Sequence, residues 1–337
     1  MSKAYEPHTV QELSAMTGAG LGNWGLGPEA SARLISLSEN ATFLASDPSS
    51  GREIVIRVQR LGYSSKEAVL SELAWVNALI KDHAADTAAP VKAVNGDYLL
   101  DMQTSEGESR VAVAFEKLNG REPDLTQSDL AHWMRVLGRM TARLHAHARA
   151  WQRPAWFTRR RWDFDAMFGP QAYWGSWREA QGLDAQGAEI MEKTLGICRK
   201  ATDEFGCGSE NFGLIHADLR VTNILADGDR LHLIDFDDAG FCWYLFDFAA
   251  ALSYLEQDPR FPEFARAWVE GYEEVRKLSA RERAMLPYFS IMRRIELSAW
   301  CGSHSEVPFA ARNGAQVTCD SVRLCRSFLE GKYLDGL

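Results

Sequence analysis

The 337-residue sequence predicts an α+β chain of two lobes, a small β-rich N-terminal one and a larger, mainly helical C-terminal one. Three observations carry this. Short alternating or β-branched apolar segments crowd the chain before residue 118, with one amphipathic helix among them. From residue 125 onward, long segments keep apolar residues at helical spacing. A single β-rich interruption, LIHADLRVTNILADGDRLHLIDFDDAG (214–240), sits inside that helical half.

Taken in order, residues 8–16 read as a short helix. LISLSENATFLAS (34–46) gives two apolar runs around a polar Ser38-Glu39-Asn40 turn. DPSSG (47–51) is a turn, and EIVIRVQ (53–59), rich in β-branched residues, is a strand. SSKEAVLSELAWVNALIKDH (64–83) opens with serine caps and spaces Val69, Leu70, Leu73, Val76 and Leu79 as a helix does. VKAV (91–94) and YLLDM (98–102), joined by Asn95-Gly96, predict a hairpin, since Asn-Gly favours two-residue connections. RVAVAFEKL (110–118) is a further strand. The Gly- and Pro-containing stretch 119–124 marks the boundary, giving a first lobe over 1–118, a linker, and a second lobe over 125–337. Residues 127–151, 183–205 and most of 244–337 then read as helices.

Composition excludes several classes. Hydrophobic residues make up 46% and charged residues 25%, which is the balance of an ordered globular protein. A formal net charge of −9 argues against a nucleic-acid binder, which normally presents a basic face. The six cysteines are scattered without a C-x-x-C pair or metal-like cluster, and read as reduced thiols. MSKAYEPHTV has no apolar signal core, and no apolar run approaches the roughly 20 residues of a membrane span. The expectation is a soluble, cytoplasmic protein with no membrane or nucleic-acid partner.

The β-rich interruption carries the chemistry. His216-Ala217-Asp218 is followed by Asn223, and then by Asp235-Phe236-Asp237 after a short hairpin. Phosphoryl transfer needs a carboxylate beside the attacking hydroxyl and oxygen ligands for a magnesium ion bridging the nucleotide phosphates. An H-x-D-x-x-x-x-N loop and a D-F-x loop on either side of a hairpin supply both. The pattern predicts ATP and Mg2+ as cofactors, Asp218 as the residue that orients or deprotonates the acceptor, and Asn223 and Asp235 as metal ligands. Asp237 either adds a metal or water contact or, with Asp238, caps the next turn.

This segment resembles the catalytic region of the aminoglycoside phosphotransferase and choline kinase superfamily, and most of all the bacterial phosphotransferases that include stress response kinase and the type II homoserine kinases. SENATF, IVIRVQR, SELAWV, GREP, Asp247 and the Arg293–Trp300 helix extend the resemblance over nearly the whole chain. It implies a protein-kinase-like fold with a nucleotide-binding small lobe and an acceptor site in the helical lobe. Where kinases carry a strand lysine that holds the α- and β-phosphates, this chain has Arg57, with Glu72 as its helix partner. Arg keeps the charge but differs in reach and geometry. Asp237 stands where protein kinases have glycine. The resemblance also implies that Asp247 accepts hydrogen bonds from catalytic-loop amides and that His216 supports that loop.

The remaining features follow from their context. Ser38 and Asn40 lie in a turn whose amides can meet phosphate oxygens. Adenine is expected at the hinge, on backbone groups of Glu116 and Leu118. Gly18-Ala19-Gly20-Leu21-Gly22 lacks the preceding strand of a dinucleotide fingerprint and reads as a flexible connection. His145 and His147 lack the i, i+4 spacing of a helical zinc pair, and His145 is expected to steady packing below the catalytic loop. Arg159-Arg160-Arg161 is either a solvated face or a contact for an anion. Arg220 resembles the basic residue after the catalytic aspartate of Ser/Thr kinases and serves any hydroxyl acceptor. The reading is thus transfer of the ATP γ-phosphate to a small-molecule hydroxyl. A Ser/Thr protein kinase and a nucleotide-binding regulator are the alternatives.

Overall fold

The structure, a computed structural model, describes residues 7–38, 40–124 and 129–337. One compact unit takes the described residues up to Asn119 together with the segment Arg153–Thr158. The other takes the described residues of Gly120–Gln152 and Arg159–Leu337. Strand-rich and helix-rich halves give the mixed α+β class expected from the sequence.

The first unit contains α1 (Pro7–Ala19), β1 (Ser31–Leu37), β2 (Ala41–Asp47), β3 (Arg52–Val58), α2 (Lys66–Lys81), β4 (Pro90–Val91), β5 (Leu100–Gln103) and β6 (Ser109–Glu116). The strands form one sheet in the order β1-β2-β3-β6-β4, with β5 also paired to β6. Alternation along β3 explains its two faces. Ile54, Ile56 and Val58 are fully buried and share a core with Phe43, Ala45, Leu13, Met16 and Trp24. The opposite face carries Val113 of β6 against Val69 and Leu73 of α2. Arg57 is out of phase with Ile56 and Val58 and pairs in register with Val113, so it belongs to the α2 face. Ser65 caps α2, its side chain accepting from Ala68 N at 3.2 Å.

Two expectations for this unit are corrected. Residues 91–102 are not a hairpin, because β4 and β5 pair with β6 and not with each other. Pro90 and Val91 lie opposite Phe115 and Ala114, and Leu100 to Gln103 lie opposite Ala112 to Ser109. They are two stretches of one edge line, interrupted by a turn in which Ala93 N donates to Asp97 O at 2.8 Å. The glycines at 18–22 are likewise not a loose connection. They close α1 and open a 3-10 turn, Leu21–Trp24, whose Leu21 and Trp24 are buried in the core.

The second unit contains α3 (Leu130–Ala150), α4 (Phe164–Phe168), α5 (Ala185–Phe205), β7 (Phe212–Ile215), β8 (Ile224–Asp227), β9 (Arg230–Leu233), β10 (Gly240–Trp243), α6 (Phe246–Ala251), α7 (Phe261–Glu273), α8 (Ala280–Ser303) and α9 (Pro308–Leu329). The expected start of α3, at residues 127 and 128, lies outside the described residues. β8 and β9 form the predicted hairpin, while β7 pairs with β10, which the sequence did not disclose. α3 packs closely on α7 through glycines in both helices. A Cβ on Gly138 would lie 2.0 Å from Trp268 O, and one on Gly271 would lie 1.8 Å from Arg135 O. Glycine inside a helix costs about 1 kcal/mol relative to alanine, which the close approach offsets. α8 begins with a capping box of Ser279 and Glu282 and runs as far as Ser303, packing on α6 and α9. Among the described residues, no helix is long and apolar enough to cross a membrane.

Candidate active site

The loop after β7 carries a strained residue beside the candidate base. Ala217 has φ of 68°, a left-handed conformation that β-carbon sterics disfavour outside glycine. The carboxylate of Asp247, at the start of α6 and fully buried, holds it there. Oδ1 accepts from Ala217 N at 2.8 Å and Oδ2 from His216 N at 3.2 Å. His145 of α3 donates from Nε2 to the same Oδ2 at 3.0 Å, and its Nδ1 accepts from the Tyr272 hydroxyl of α7 at 2.9 Å. Burial pushes the pKa of His145 down, against the pull of Asp247, which fits a neutral ring with one donor and one acceptor nitrogen. The close α3–α7 packing therefore serves the loop directly. His216 turns inward, donating from Nε2 to Ile234 O at 3.1 Å with its ring 4.5 Å from that of Phe236. Burial keeps its pKa low as well.

Asp218 is bound on both carboxylate oxygens. Oδ2 accepts from Asn223 Nδ2 at 2.8 Å and from Arg220 Nε at 3.1 Å, and Oδ1 accepts from Arg293 Nη2 of α8. Burial alone would raise this carboxyl; Arg220 and Arg293 outweigh it and hold the group below the ordinary aspartate range. Asn223 Nδ2 also donates to the Asp218 carbonyl at 2.8 Å, so its amide oxygen is the atom left to face a cation. Ile234 N donates to Asn223 O at 3.0 Å, which brings Asn223 beside the residue preceding Asp235 at the open end of the β8–β9 hairpin. Asp235 is exposed and has φ of 64°, a second non-glycine left-handed residue, and Asp237 is buried. Among the described residues, no three His, Cys, Asp or Glu side chains cluster as a metal-binding group. The oxygen donors Asn223, Asp235 and Asp237 nevertheless suit a hard divalent cation in kind.

The arginine run has a role that neither sequence alternative described. Arg159 is buried and donates to the carbonyls of Phe236, Asp237 and Ala239, gripping the backbone of the turn after Asp235. Trp162 Nε1 donates to Asp238 O at 2.9 Å, and Arg160 Nη1 lies 3.5 Å from Asp238 Oδ1. Arg161 is paired at the surface with Asp163 at 2.7 Å.

In the first unit, Arg57 and Glu72 meet in a buried fork. Nη1 donates to Oε1 at 2.9 Å and Nη2 to Oε2 at 2.7 Å. A lysine could not make two parallel bonds to one carboxylate. The Gln59 amide oxygen accepts from Arg57 Nε, and its nitrogen donates to Asn40 Oδ1, in the orientation that satisfies both ends. Asn40 Oδ1 also accepts from Arg60 N at 3.1 Å, and Ser38 N donates to Asn40 O at 3.0 Å, so both residues shape the β1–β2 turn; Glu39 lies outside the described residues. Glu116 N donates to Ala89 O at 2.8 Å, which narrows its expected adenine contact to its carbonyl, while Leu118 is half-buried.

Sequence reasoning gave no role to Arg293 or Glu296. Both are nearly fully buried, with Arg293 Nη1 donating to Glu296 Oε2 at 3.0 Å. Burial pushes the Glu296 carboxyl up to about 7 despite Arg293. The available signal was the string SIMRRIELSAW, where charges stand amid apolar residues on a helix.

The fold and its loops, taken with the similarities that follow, identify a small-molecule phosphotransferase acting on an alcohol group. Residues 31–286 match the phosphotransferase enzyme family, and the chain belongs to it. A solved structure of a microcompartment-associated aminopropanol kinase is 36% identical, with a TM-score of 0.86 over 95% of this chain and 98% of that one. The amicoumacin kinase of Bacillus subtilis (strain 168) is 25% identical over 256 residues, 72% of this chain and 71% of that protein. An amicoumacin kinase solved with AMP-PNP, Ca2+ and Ami shares the fold at 18% identity and a TM-score of 0.74, covering 99% of this chain and 96% of that one.

Proposed function

We propose that this chain transfers the γ-phosphoryl group of ATP, with Mg2+, to the hydroxyl of a small amino alcohol. The observation that carries the reading is Asp218, whose carboxylate is fixed on both oxygens by Asn223, Arg220 and Arg293. A carboxylate held ionised this way accepts a hydrogen bond from the acceptor hydroxyl and orients it. It is a weak base, which suits a loose transition state in which the proton leaves late. Arg57 contacts the nucleotide phosphates with Glu72 fixing its guanidinium, and Ser38 and Asn40 shape the turn set against them. The Glu116 carbonyl and Leu118 N–H match the donor and acceptor of the adenine edge. Asn223, Asp235 and Asp237 hold the Mg2+, which when bound neutralises charge on the phosphates. Arg220 lies beside the hydroxyl on this reading and offsets charge developing on the transferred group. The acceptor class rests on the aminopropanol kinase, which is 36% identical over nearly the whole chain.

The test is Mg-ATP turnover by purified protein against aminopropanols, ethanolamine, choline, homoserine, an aminoglycoside and a generic protein substrate, with the phosphorylated product identified. Amino alcohols should be the acceptors, and Asp218→Asn should lower their turnover by roughly 10²–10⁴-fold while leaving ATP affinity within a few-fold. Phosphorylation of none above background ATP hydrolysis would sink the reading, and wild-type turnover in Asp218→Asn would sink the role of Asp218.

A further inference from the structure

A carboxylate offers about four lone-pair positions, and three of those on Asp218 are filled. Asn223 and Arg220 occupy Oδ2, while Arg293 occupies one side of Oδ1. The hydroxyl that Asp218 orients therefore has its place on Oδ1, next to the Arg293 guanidinium. Arg293 comes from α8, beyond the family match that ends at residue 286, and only 2% of it is exposed. The ring of Trp174, itself buried, lies 5.0 Å from its guanidinium carbon. Its Nη1 is anchored on Glu296 Oε2 and its Nε lies 3.5 Å from Ser253 Oγ. A helix needing only internal charge balance would have closed the Arg293–Glu296 pair on itself. This guanidinium instead spans two carboxylates, and one of them is Asp218.

We propose that Arg293 is a positioning residue for phosphoryl transfer, fixing Asp218 so that Oδ1 presents its remaining lone pair to the acceptor hydroxyl, with Glu296 holding Arg293 in that pose. The inference rests on Asp218 as the hydroxyl-orienting carboxylate. Arg293→Met alone would leave the buried Glu296 carboxylate without its partner and threaten folding, whereas Asp218 would keep Asn223 and Arg220. The informative variant is Arg293→Met with Glu296→Gln, which removes the buried charge pair together.

In that paired variant the melting midpoint should stay within a few degrees of wild type. Its kcat should fall by roughly 10²-fold, the usual consequence of misplacing a reacting group by about an ångström, with KM for ATP within a few-fold. Arg293→Lys should recover part of kcat, because an ammonium reaches Asp218 without spanning both carboxylates. In an Asp218→Asn background, loss of Arg293 should cost less than about threefold more, since little is left to position. A paired variant with wild-type kcat, or a full additional loss in the Asp218→Asn background, would overturn the proposal. If the paired variant does not fold, wild-type kcat in Arg293→Lys overturns it. Asp218→Asn alone separates the two levels. Wild-type turnover there defeats the role of Asp218, whereas a normal loss there with no loss in the Arg293 variants defeats only this inference.

Discussion

Replacing Asp247 by Asn tests whether a buried carboxylate organises the loop that carries Asp218. Asp247 accepts three hydrogen bonds in this structure, from Ala217 N on Oδ1 and from His216 N and His145 Nε2 on Oδ2. Asparagine is nearly isosteric but has one acceptor oxygen and an NH2 group. Turning its oxygen to the Oδ2 side keeps two partners and sets the NH2 against Ala217 N–H. Either orientation opposes donor to donor, with no water-accessible escape at a fully buried position. Losing one charge-assisted bond and leaving a buried N–H unsatisfied should together cost about 2–4 kcal/mol. For a unit of this size that lowers Tm by roughly 5–15 °C. Ala217, no longer held at φ of 68°, should relax and carry Asp218 with it, lowering kcat by roughly 10–100-fold with little change in ATP affinity. Denaturant melts with parallel steady-state kinetics provide the check. An Asp247→Asn protein within about 0.5 kcal/mol of wild type, with unchanged kcat, would refute the argument.

Two further predictions concern other buried groups. Arg57→Ala should weaken ATP binding and, by stranding buried Glu72, cost about 3–5 kcal/mol of stability, while Arg57→Lys should keep part of both. Calorimetry with Mg-ATP reads the first effect, and wild-type affinity in Arg57→Ala would place the residue outside the nucleotide site. Acid should destabilise the fold through His145 and His216, whose folded pKa values are pushed below 6.5 by burial. Their contribution is complete above pH 6.5 and is lost as pH falls through the folded values, because the unfolded chain binds the protons first. Tm measured from pH 8 down to pH 5 should therefore drop below about 6.5, and a drop unaffected by substituting His145 would remove that residue from the account.

Sequence and structure agree where local pattern decides, and part where distant backbone does. EIVIRVQ identified β3, and its alternation alone places Arg57 on the face opposite Ile54 and Ile56, where α2 brings Glu72. The DGD turn between two apolar runs gave the β8–β9 hairpin. The β7–β10 pair was not legible, since GFCW runs straight into helical sequence and its partner lies far back in the chain. The line formed by β4 and β5 failed for a related reason: Asn-Gly specified a turn, but β6 claimed both flanks. Arg159 was ambiguous because gripping three carbonyls requires no particular partner side chain, and so leaves no pattern to read.

The two loops that carry Asp218 and Asp235 are held by groups remote in sequence. Ala217 and Asp235 both adopt left-handed backbone conformations, each costing on the order of 1–2 kcal/mol in a non-glycine residue. Glycine would enter that region freely and leave it as freely, and at position 235 it would also forfeit the carboxylate. Rigidity comes instead from Asp247, His145 and Tyr272 on α6, α3 and α7 for the first loop, and Arg159 and Trp162 for the turn that follows Asp235. Several of these are buried polar groups whose partners exist only in the folded arrangement, so each contributes more to fixing geometry than to net stability. The glycines that let α3 and α7 approach belong to the same scaffold, because His145 and Tyr272 reach one another through that contact. Phosphoryl transfer depends mainly on where groups stand, so substitutions in these helices should change turnover although they lie outside the H-x-D-x-x-x-x-N motif.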